Sequence, residues 1–299
     1  MSNSEPSAAP LLDEDFLARC AKLVLVSRNV LQGKVRGEKR SKRRGMSTEF
    51  ADHRDYIPGD DLRHLDWNIF GRLEKLFIKL FEEEEERSVF LILDASASMS
   101  SGEPDKWRHA RQVTAALGAI ALSSGDRVHL RVFDEQLRTP VPPLRGSRSI
   151  LKLVDVLEKL KPESETSLDK SLRAHSATCP SGAIQILISD LMDPEGVESA
   201  FRQIPGVRGE SWLIHLLSQS EAQPDLQGDL RLVDSERQEH VDVTMTNSVL
   251  KAYQSALSQF REEIRSHCRR YKIQPVEVST VVPFDRVVLD VLRQKRWLS

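Results

Sequence analysis

The chain has 299 residues, of which 39% are hydrophobic and 29% charged, and its formal net charge is −2 at pH 7. This length allows one large domain or two modest ones, and the composition is typical of a soluble globular protein. The 43 basic and 45 acidic side chains nearly balance, so nothing in the overall charge favours nucleic acid or a membrane surface as a partner.

The cysteines and the N-terminus predict a cytoplasmic protein. Cys20, Cys179 and Cys268 are far apart and lack the spacing of metal ligands, which favours reduced thiols. Residues 1–10 are small and polar, without the apolar core of a secretion signal, and are predicted to be a disordered tail. No run of about 18 apolar residues occurs, so we expect no membrane span.

The first part of the chain, residues 11–87, predicts few regular elements. Helical periodicity predicts a helix over Leu12–Leu31, which a basic loop to Gly45 follows. A strand is predicted over Leu76–Phe81. The segment Pro58–Asp61 between them is a strong turn signal.

Six residues near this turn combine charge with one large aromatic ring: Arg54, Asp60, Asp61, Arg63, Asp66 and Trp67. Two interpretations stay open. They form buried ion pairs while Trp67 packs the N-terminal segment onto the sheet, or they form a docking surface, since Arg and Trp are favoured at protein interfaces.

Residues 88–299 alternate strands and helices. The predicted strands are Val89–Leu93, Arg127–Phe133, Ala183–Ile188, Trp212–Leu217 and Pro275–Val282. The predicted helices lie around Trp107–Ala121 and over Ser149–Leu160, Glu195–Gln203, Ser248–Tyr271 and Phe284–Leu298, and Gly228–Val243 is predicted as a hairpin. This alternation predicts an α/β fold with a doubly wound, mostly parallel sheet and a small N-terminal extension.

Polar oxygen-bearing residues follow two of these strands. Asp94 comes directly after Leu93, and Asp190 follows the Ala183–Ile188 strand with one residue between. Carboxyl ends of parallel strands share one rim of the sheet, where ligands bind. Ser96 and Ser98 lie in the loop after Asp94, and Thr166 precedes a later helix. Hydroxyl and carboxylate oxygens suit a hard cation such as Mg²⁺ or Mn²⁺.

A simpler interpretation is that Asp94 and the two serines cap the helix that begins near Pro104, since Asp and Ser are good N-cap residues. The set Asp94, Ser96, Ser98, Thr166 and Asp190, in this order, resembles the metal-ion-dependent adhesion site of von Willebrand factor A domains. The resemblance implies direct coordination by the serines, direct or water-mediated coordination by Thr166, and mainly water-mediated coordination by the aspartates. Leu191 stands where many such domains have Gly.

A second resemblance covers nearly the whole chain. The segment from Glu49 to Trp67, with Arg54-Asp-Tyr, Pro58-Gly-Asp, Leu62-Arg and Leu65-Asp-Trp, is similar to the signature of a bacterial family known as domain of unknown function 58. That family joins the signature to an A-type domain and tends to be encoded beside MoxR-type AAA+ ATPases. The resemblance implies an accessory or adaptor role with such an ATPase, in protein maturation or stress response.

We therefore expect a non-enzymatic, metal-dependent module that binds a protein partner, the ATPase or its client, through a carboxylate. The alternative is a haloacid-dehalogenase-like phosphatase using Asp94, but Ser96 stands where that class usually has a second Asp. The basic stretch Lys34–Arg44 lacks interleaved aromatics, so no nucleic-acid partner is expected.

Overall fold

The computed structural model describes residues 10–26, 48–83, 86–193, 196–204, 209–226, 228–234 and 240–299, and of 48–52, 64 and 79–83 it describes the backbone only. Described residues between 48 and 86 form one compact unit, and the others form a second, larger unit. The predicted tail, the basic loop and Lys34–Arg44 lie outside the described residues, except for Pro10.

The strands are β1 Thr48–Asp55, β2 Phe77–Glu83, β3 Ser88–Asp94, β4 Arg127–Phe133, β5 Leu137–Arg138, β6 Ile184–Ser189, β7 Glu210–Leu217, β8 Gly228–Val233, β9 His240–Met245 and β10 Gln274–Ser279. The helices are α1 Glu14–Cys20, α2 Trp67–Leu73, α3 Lys106–Ser123, α4 Ile150–Lys159, α5 Leu168–Thr178, α6 Val197–Gln203, α7 Gln219–Ala222, α8 Asn247–Tyr271, α9 Phe284–Arg286 and α10 Leu292–Gln294, with a π-helical turn, Val287–Val291, between the last two.

The central sheet of the larger unit has the order β10-β7-β6-β3-β4-β5. All of its neighbouring strands pair in parallel except β4 and β5, which are antiparallel. The predicted α/β class and mostly parallel sheet are therefore confirmed. Chain order reverses at β3, whose neighbours are β4 on one side and β6 on the other, and the carboxyl ends of strands at such a switch point are where sheets of this class bind ligands.

Helices cover both faces of this sheet. Alternate residues of β3 belong to two separate clusters of buried side chains, Leu91 and Leu93 to one and Phe90 and Ile92 to the other. The first cluster includes α1, α3, α4 and the C-terminal helical segment, and the second includes α5, α6 and α8. Burial on both faces explains why the β3 sequence contains a continuous apolar run, Val89–Leu93.

The N-terminal helix is shorter than its periodicity predicts. It ends at Cys20, and Leu25 instead forms an antiparallel bridge with Leu298. The prediction of helix is therefore wrong for 21–26, and 27–31 lie outside the described residues. Phe16 is fully buried and contacts Phe284 edge-to-face at 4.9 Å. Residues 11–26 thus belong to the larger unit, whereas the sequence boundary grouped them with 27–87.

The hairpin predicted over Gly228–Val243 is confirmed, as β8 pairs with β9 antiparallel. The predicted helix Phe284–Leu298 ends early, at Gln294, because Arg296 adopts a left-handed φ of 60°. Trp297 then turns inward and stacks on Trp212, with ring centroids 4.6 Å apart. The sequence also missed β1, which pairs with β2 in the smaller unit.

Candidate metal site at the carboxyl edge of the sheet

Two neighbouring strands deliver the predicted aspartates to one rim. β3 ends at Asp94 and pairs in parallel with β6, whose last residue, Ser189, precedes Asp190. Both carboxylates are almost completely buried, at 2% exposure for Asp94 and 0% for Asp190. The structure thus brings them together where the strand order reverses.

Asp94 is held by donors from both strand ends. Its Oδ1 accepts a hydrogen bond from the Ser96 backbone N–H at 3.0 Å, and its Oδ2 accepts one from the Ser189 hydroxyl at 2.5 Å. Burial, reinforced by the nearby charge of Asp190, raises the pKa of Asp94 to about 7, although the hydrogen bonds oppose this. An uncompensated negative charge is therefore costly here.

The two oxygens of Asp190 have different neighbours. Oδ1 accepts hydrogen bonds from the Ser98 hydroxyl at 3.3 Å and from the Met192 backbone N–H at 3.1 Å. Oδ2 accepts one from Lys106 Nζ at 2.6 Å. Behind the site, His215 Nε2 donates to the backbone carbonyl of Asp190 at 3.2 Å, and burial lowers the pKa of this histidine to about 4. Asp190 is thus fixed on three sides.

The hydroxyls of Ser96 and Ser98 face one another in the loop that follows β3. Ser96 Oγ and Ser98 Oγ lie 2.9 Å apart, and both side chains are buried. They do not cap the following helix: its N-cap is Asp105, whose side chain accepts from the Arg108 N–H. The capping interpretation is therefore wrong, and the buried hydroxyls call for another explanation.

The loop that carries Thr166 lies against the loop that follows β3. The Glu163 N–H donates to the Ala95 carbonyl at 3.0 Å, and the Ala97 N–H donates to the Ser164 carbonyl at 2.9 Å. These two backbone hydrogen bonds fix the loop beside the serines. Thr166 itself is half-buried, just before α5.

The donor set fits a hard divalent cation. Two hydroxyls and one carboxylate oxygen form a chain of contacts, Ser96 to Ser98 to Asp190, with Asp94 bonded to the same loop. Carboxylate and hydroxyl oxygens are what Mg²⁺ and Mn²⁺ prefer. Among the described residues, no group of three or more His, Cys, Asp or Glu side chains is arranged to hold a metal, so a cation site here depends on the hydroxyls.

Sequence reasoning missed three residues of this site. Ser189 bonds Asp94, while Lys106 contacts Asp190 and also lies 2.6 Å from Glu221 Oε1. Lys106 is only 1% exposed. Ser189 could have been found from its place at the strand end, but the lysine partners lie 84 and 115 positions away and leave no local signal.

The smaller unit holds the six signature residues differently from one another. Asp66 is buried and caps α2 by accepting from the Asn68 and Ile69 N–H groups, and it also lies 3.0 Å from His53 Nε2. Trp67, by contrast, is 65% exposed, with an edge contact to Phe70. Within the smaller unit, the Trp67 ring is therefore not part of a buried core.

The other four signature residues form two ion pairs. Arg54 contacts Asp60 at 2.9 Å across the turn, and Arg63 contacts Asp61 at 2.6 Å. The Arg63 side chain is exposed, at 86%, whereas those of Arg54, Asp60 and Asp61 are partly buried, at 39%, 20% and 37% exposure. Ion pairs are therefore present in the signature, and none of their four side chains is fully buried.

Comparison with known proteins identifies the family. Residues 52–263 match the family described as "Protein of unknown function DUF58", and the chain belongs to this family. It is 25% identical over 230 residues to uncharacterized proteins of Mycobacterium tuberculosis and Mycobacterium bovis, over 75% of this chain and 72% of each relative. The family resemblance stated from the signature is therefore confirmed.

Solved structures with a similar fold are more distant. A conserved hypothetical protein BatB from Bacteroides thetaiotaomicron is 13% identical, over 70% of this chain and 98% of that one, with a TM-score of 0.44. An aerotolerance-related membrane protein from Bacteroides fragilis is 13% identical, over 70% and 97%, with a TM-score of 0.45. Among the described residues, no helix is both long and apolar enough to cross a bilayer.

Proposed function

We propose that this chain is a non-enzymatic, divalent-metal-dependent protein-interaction module of the von Willebrand factor A type. The observation that carries the proposal is the convergence of Asp94, Ser96, Ser98 and Asp190 at one rim of a mostly parallel sheet. These residues lie 92 or more positions apart across the two strands, yet Ser98 and Asp190 are in hydrogen-bond contact. The backbone contacts of the Thr166 loop support its membership of the same site.

The chemistry follows from charge and donor type. Ser96, Ser98 and Thr166 would hold Mg²⁺ or Mn²⁺ through hydroxyl oxygens, with Asp94 and Asp190 supplying negative charge. The bound ion would offer a positive centre to a carboxylate of the partner. The protein's own part is to keep the serines and aspartates fixed by backbone hydrogen bonds, so that little ordering cost remains when the partner binds.

The partner we propose is a MoxR-type AAA+ ATPase or its client, with this chain as a cytoplasmic adaptor. This step rests on the resemblance of the chain to this family, whose members tend to be encoded beside such ATPases. The exposed ring of Trp67, at 65%, supports a second contact surface in the smaller unit.

The phosphatase alternative lacks a specific structural feature in its favour. The position two residues beyond Asp94 holds Ser96, whose hydroxyl contacts Ser98 rather than offering a carboxylic acid. Sustained hydrolysis of an aryl phosphate by the pure protein, lost in Asp94→Asn, would favour the enzyme instead.

The proposed function is tested by recovery of the partner from cells. Tagged wild type and the Asp94→Ala variant are purified with Mg²⁺ or with a chelator, and the amount of AAA+ ATPase is measured. We expect the ATPase only with wild type and Mg²⁺. Recovery that does not change with chelator or with Asp94→Ala would place the interface elsewhere.

A further inference from the structure

Lys106, the first residue of α3, is a buried ammonium group inside a cluster of carboxylates. Its side chain is 0% exposed, and its Nζ lies 2.6 Å from both Asp190 Oδ2 and Glu221 Oε1. Two carboxylates this close stabilise the ammonium form, so Lys106 places a positive charge beside the candidate metal site.

Glu221 is prepared for this contact by its own backbone environment. Its Oε2 accepts from the Ser218 N–H and the Ser218 hydroxyl, both at 2.8 Å, in a capping box at the start of α7. Its Oε1 remains directed to Lys106. The lysine thus joins the end of β6 to the turn after β7.

The lysine lies on the opposite side of Asp190 from the hydroxyls. Asp190 Oδ1 faces Ser98 and Met192, whereas Oδ2 is engaged by Lys106. The ammonium group therefore contacts Oδ2 and leaves Oδ1 to the Ser98 hydroxyl. It would act on a cation held by the serines through its charge and through the orientation of Asp190.

Formal charges show how the cluster is balanced. Asp94, Asp190 and Glu221 contribute −3 when ionised, and Lys106 contributes +1, which leaves −2. A divalent cation neutralises that remainder. Without Lys106 the same group would carry −3, and its attraction for a divalent cation would be stronger.

We propose that Lys106 is a built-in cation that keeps this rim folded without metal and weakens its affinity for divalent ions, so that metal binding is reversible. The inference rests on the proposed metal site. It assigns the lysine a regulatory role there, as a positioning residue for Asp190 and a fixed opposing charge.

The test is calorimetric titration of the metal-stripped full chain with Mn²⁺. Lys106→Met is expected to bind Mn²⁺ at least about tenfold more tightly than wild type, because one opposing charge is removed. Lys106→Arg, which keeps the charge, is expected to stay within about threefold of wild type. The double variant Lys106→Met, Glu221→Gln restores −2 and is expected to return toward wild-type affinity.

Thermal unfolding supplies a second readout. Mn²⁺ is expected to raise the Tm of wild type only modestly, and that of Lys106→Met more strongly, because the carboxylates of Lys106→Met lack a partner in chelator and the variant binds the ion more tightly. If Lys106→Met does not fold, Glu221→Gln alone is the test. This variant reduces the negative charge of the cluster from −2 to −1, and its Mn²⁺ affinity is expected to fall about tenfold.

The outcomes separate the two proposals. If wild type binds Mn²⁺, the metal site stands. The role of Lys106 is then overturned by Lys106→Met binding Mn²⁺ as weakly as wild type or more weakly. It is equally overturned by Glu221→Gln binding Mn²⁺ as tightly as wild type or more tightly. Wild type that does not bind, with Lys106→Met binding, supports Lys106 as the resident cation and contradicts a metal-dependent function. Absence of Mn²⁺ binding in all of them overturns both.

Discussion

Lys106 Nζ lies 2.6 Å from Asp190 Oδ2, and both side chains are shielded from solvent, at 0% and 1% exposure. This ion pair joins the first turn of α3 to the end of β6, the strand next to β3. A buried pair gains little over an apolar pair overall, but the loss of one partner leaves the other charged and desolvated. Both partners of this contact are therefore needed to keep the candidate metal site folded.

The ion pair predicts a large stability loss in Asp190→Asn. In metal-free buffer we expect the free energy of unfolding to fall by about 3 kcal/mol, because Lys106 keeps only one carboxylate partner. Asp155→Asn is the matched control, since Asp155 pairs with Lys159 on the surface of α4, and we expect a change below about 0.5 kcal/mol. Equal losses in urea denaturation would contradict the importance of burial.

Asp94 predicts a specific pH dependence of the metal-free protein. Its folded pKa of about 7 lies above the ordinary value of 3.8, so between these values the folded state holds a proton that the unfolded state has lost. The stability that this group contributes is complete below about pH 4 and is lost as pH rises through 7. Wild type should therefore lose stability relative to Asp94→Asn over this window, on the order of 2–4 kcal/mol.

Urea denaturation of both proteins in metal-free buffer between pH 4 and pH 8 measures this difference. The difference should level off above pH 7, since Asp94 is then ionised in both states. A difference that stays constant from pH 4 to pH 8 would show that Asp94 is not the titrating group.

Three buried histidines predict the opposite trend in acid. Burial lowers the pKa of His109, His175 and His215 to about 4. Their contribution to stability is complete above the ordinary pKa of 6.5 and is lost as pH falls through 4, because the unfolded chain takes up protons first. His175, whose Nε2 contacts Gln185 Oε1 at 2.9 Å, is the clearest case.

The His175→Asn variant removes one of these three titrating groups. The stability advantage of wild type over His175→Asn should shrink by on the order of 2 kcal/mol between pH 7 and pH 4, as measured by urea denaturation. An advantage that is the same at both pH values would mean that folding does not lower the pKa of His175.

The family signature predicts different effects for two adjacent residues. Asp66→Ala removes the cap of α2 and the partner of His53, and should destabilise the smaller unit by about 1–2 kcal/mol. Trp67→Ala should change stability by less than about 0.5 kcal/mol, since the ring is exposed. Hydrogen exchange of the β2 amides distinguishes the two variants, since it should be faster in Asp66→Ala and unchanged in Trp67→Ala. Trp67→Ala should nevertheless reduce recovery of the ATPase. Normal recovery would remove Trp67 from the docking surface.

Much of the candidate metal site could be predicted because it depends on a local rule. A carboxylate directly after a buried parallel strand lies at the ligand-binding rim, and this places Asp94 and Asp190 together without knowledge of the whole fold. Capping of α3 by Asp94 or the serines could be excluded only from the structure. In the sequence, Ser98 and Asp105 are both possible N-cap residues, and the structure shows that Asp105 is the N-cap.

The remaining features depend on distant parts of the chain. Lys106 looks like an ordinary solvated residue at a helix start, and its burial arises only when Asp190 and Glu221 are folded around it. In the same way, periodicity favours helix through 21–26, but pairing of Leu25 with Leu298 from the other end of the chain overrides it. No local pattern in either segment encodes such contacts.

The most direct test of the metal site is calorimetric titration of the metal-stripped protein with Mn²⁺. We expect one ion per chain for wild type and for the control Ser100→Ala, whose exposed hydroxyl donates to the local Ala97 carbonyl. Ser98→Ala should bind at least about tenfold more weakly, since it loses one oxygen ligand, and Asp94→Ala should show no binding. Equal Mn²⁺ affinity in wild type, Ser98→Ala and Asp94→Ala would contradict a cation site at this rim.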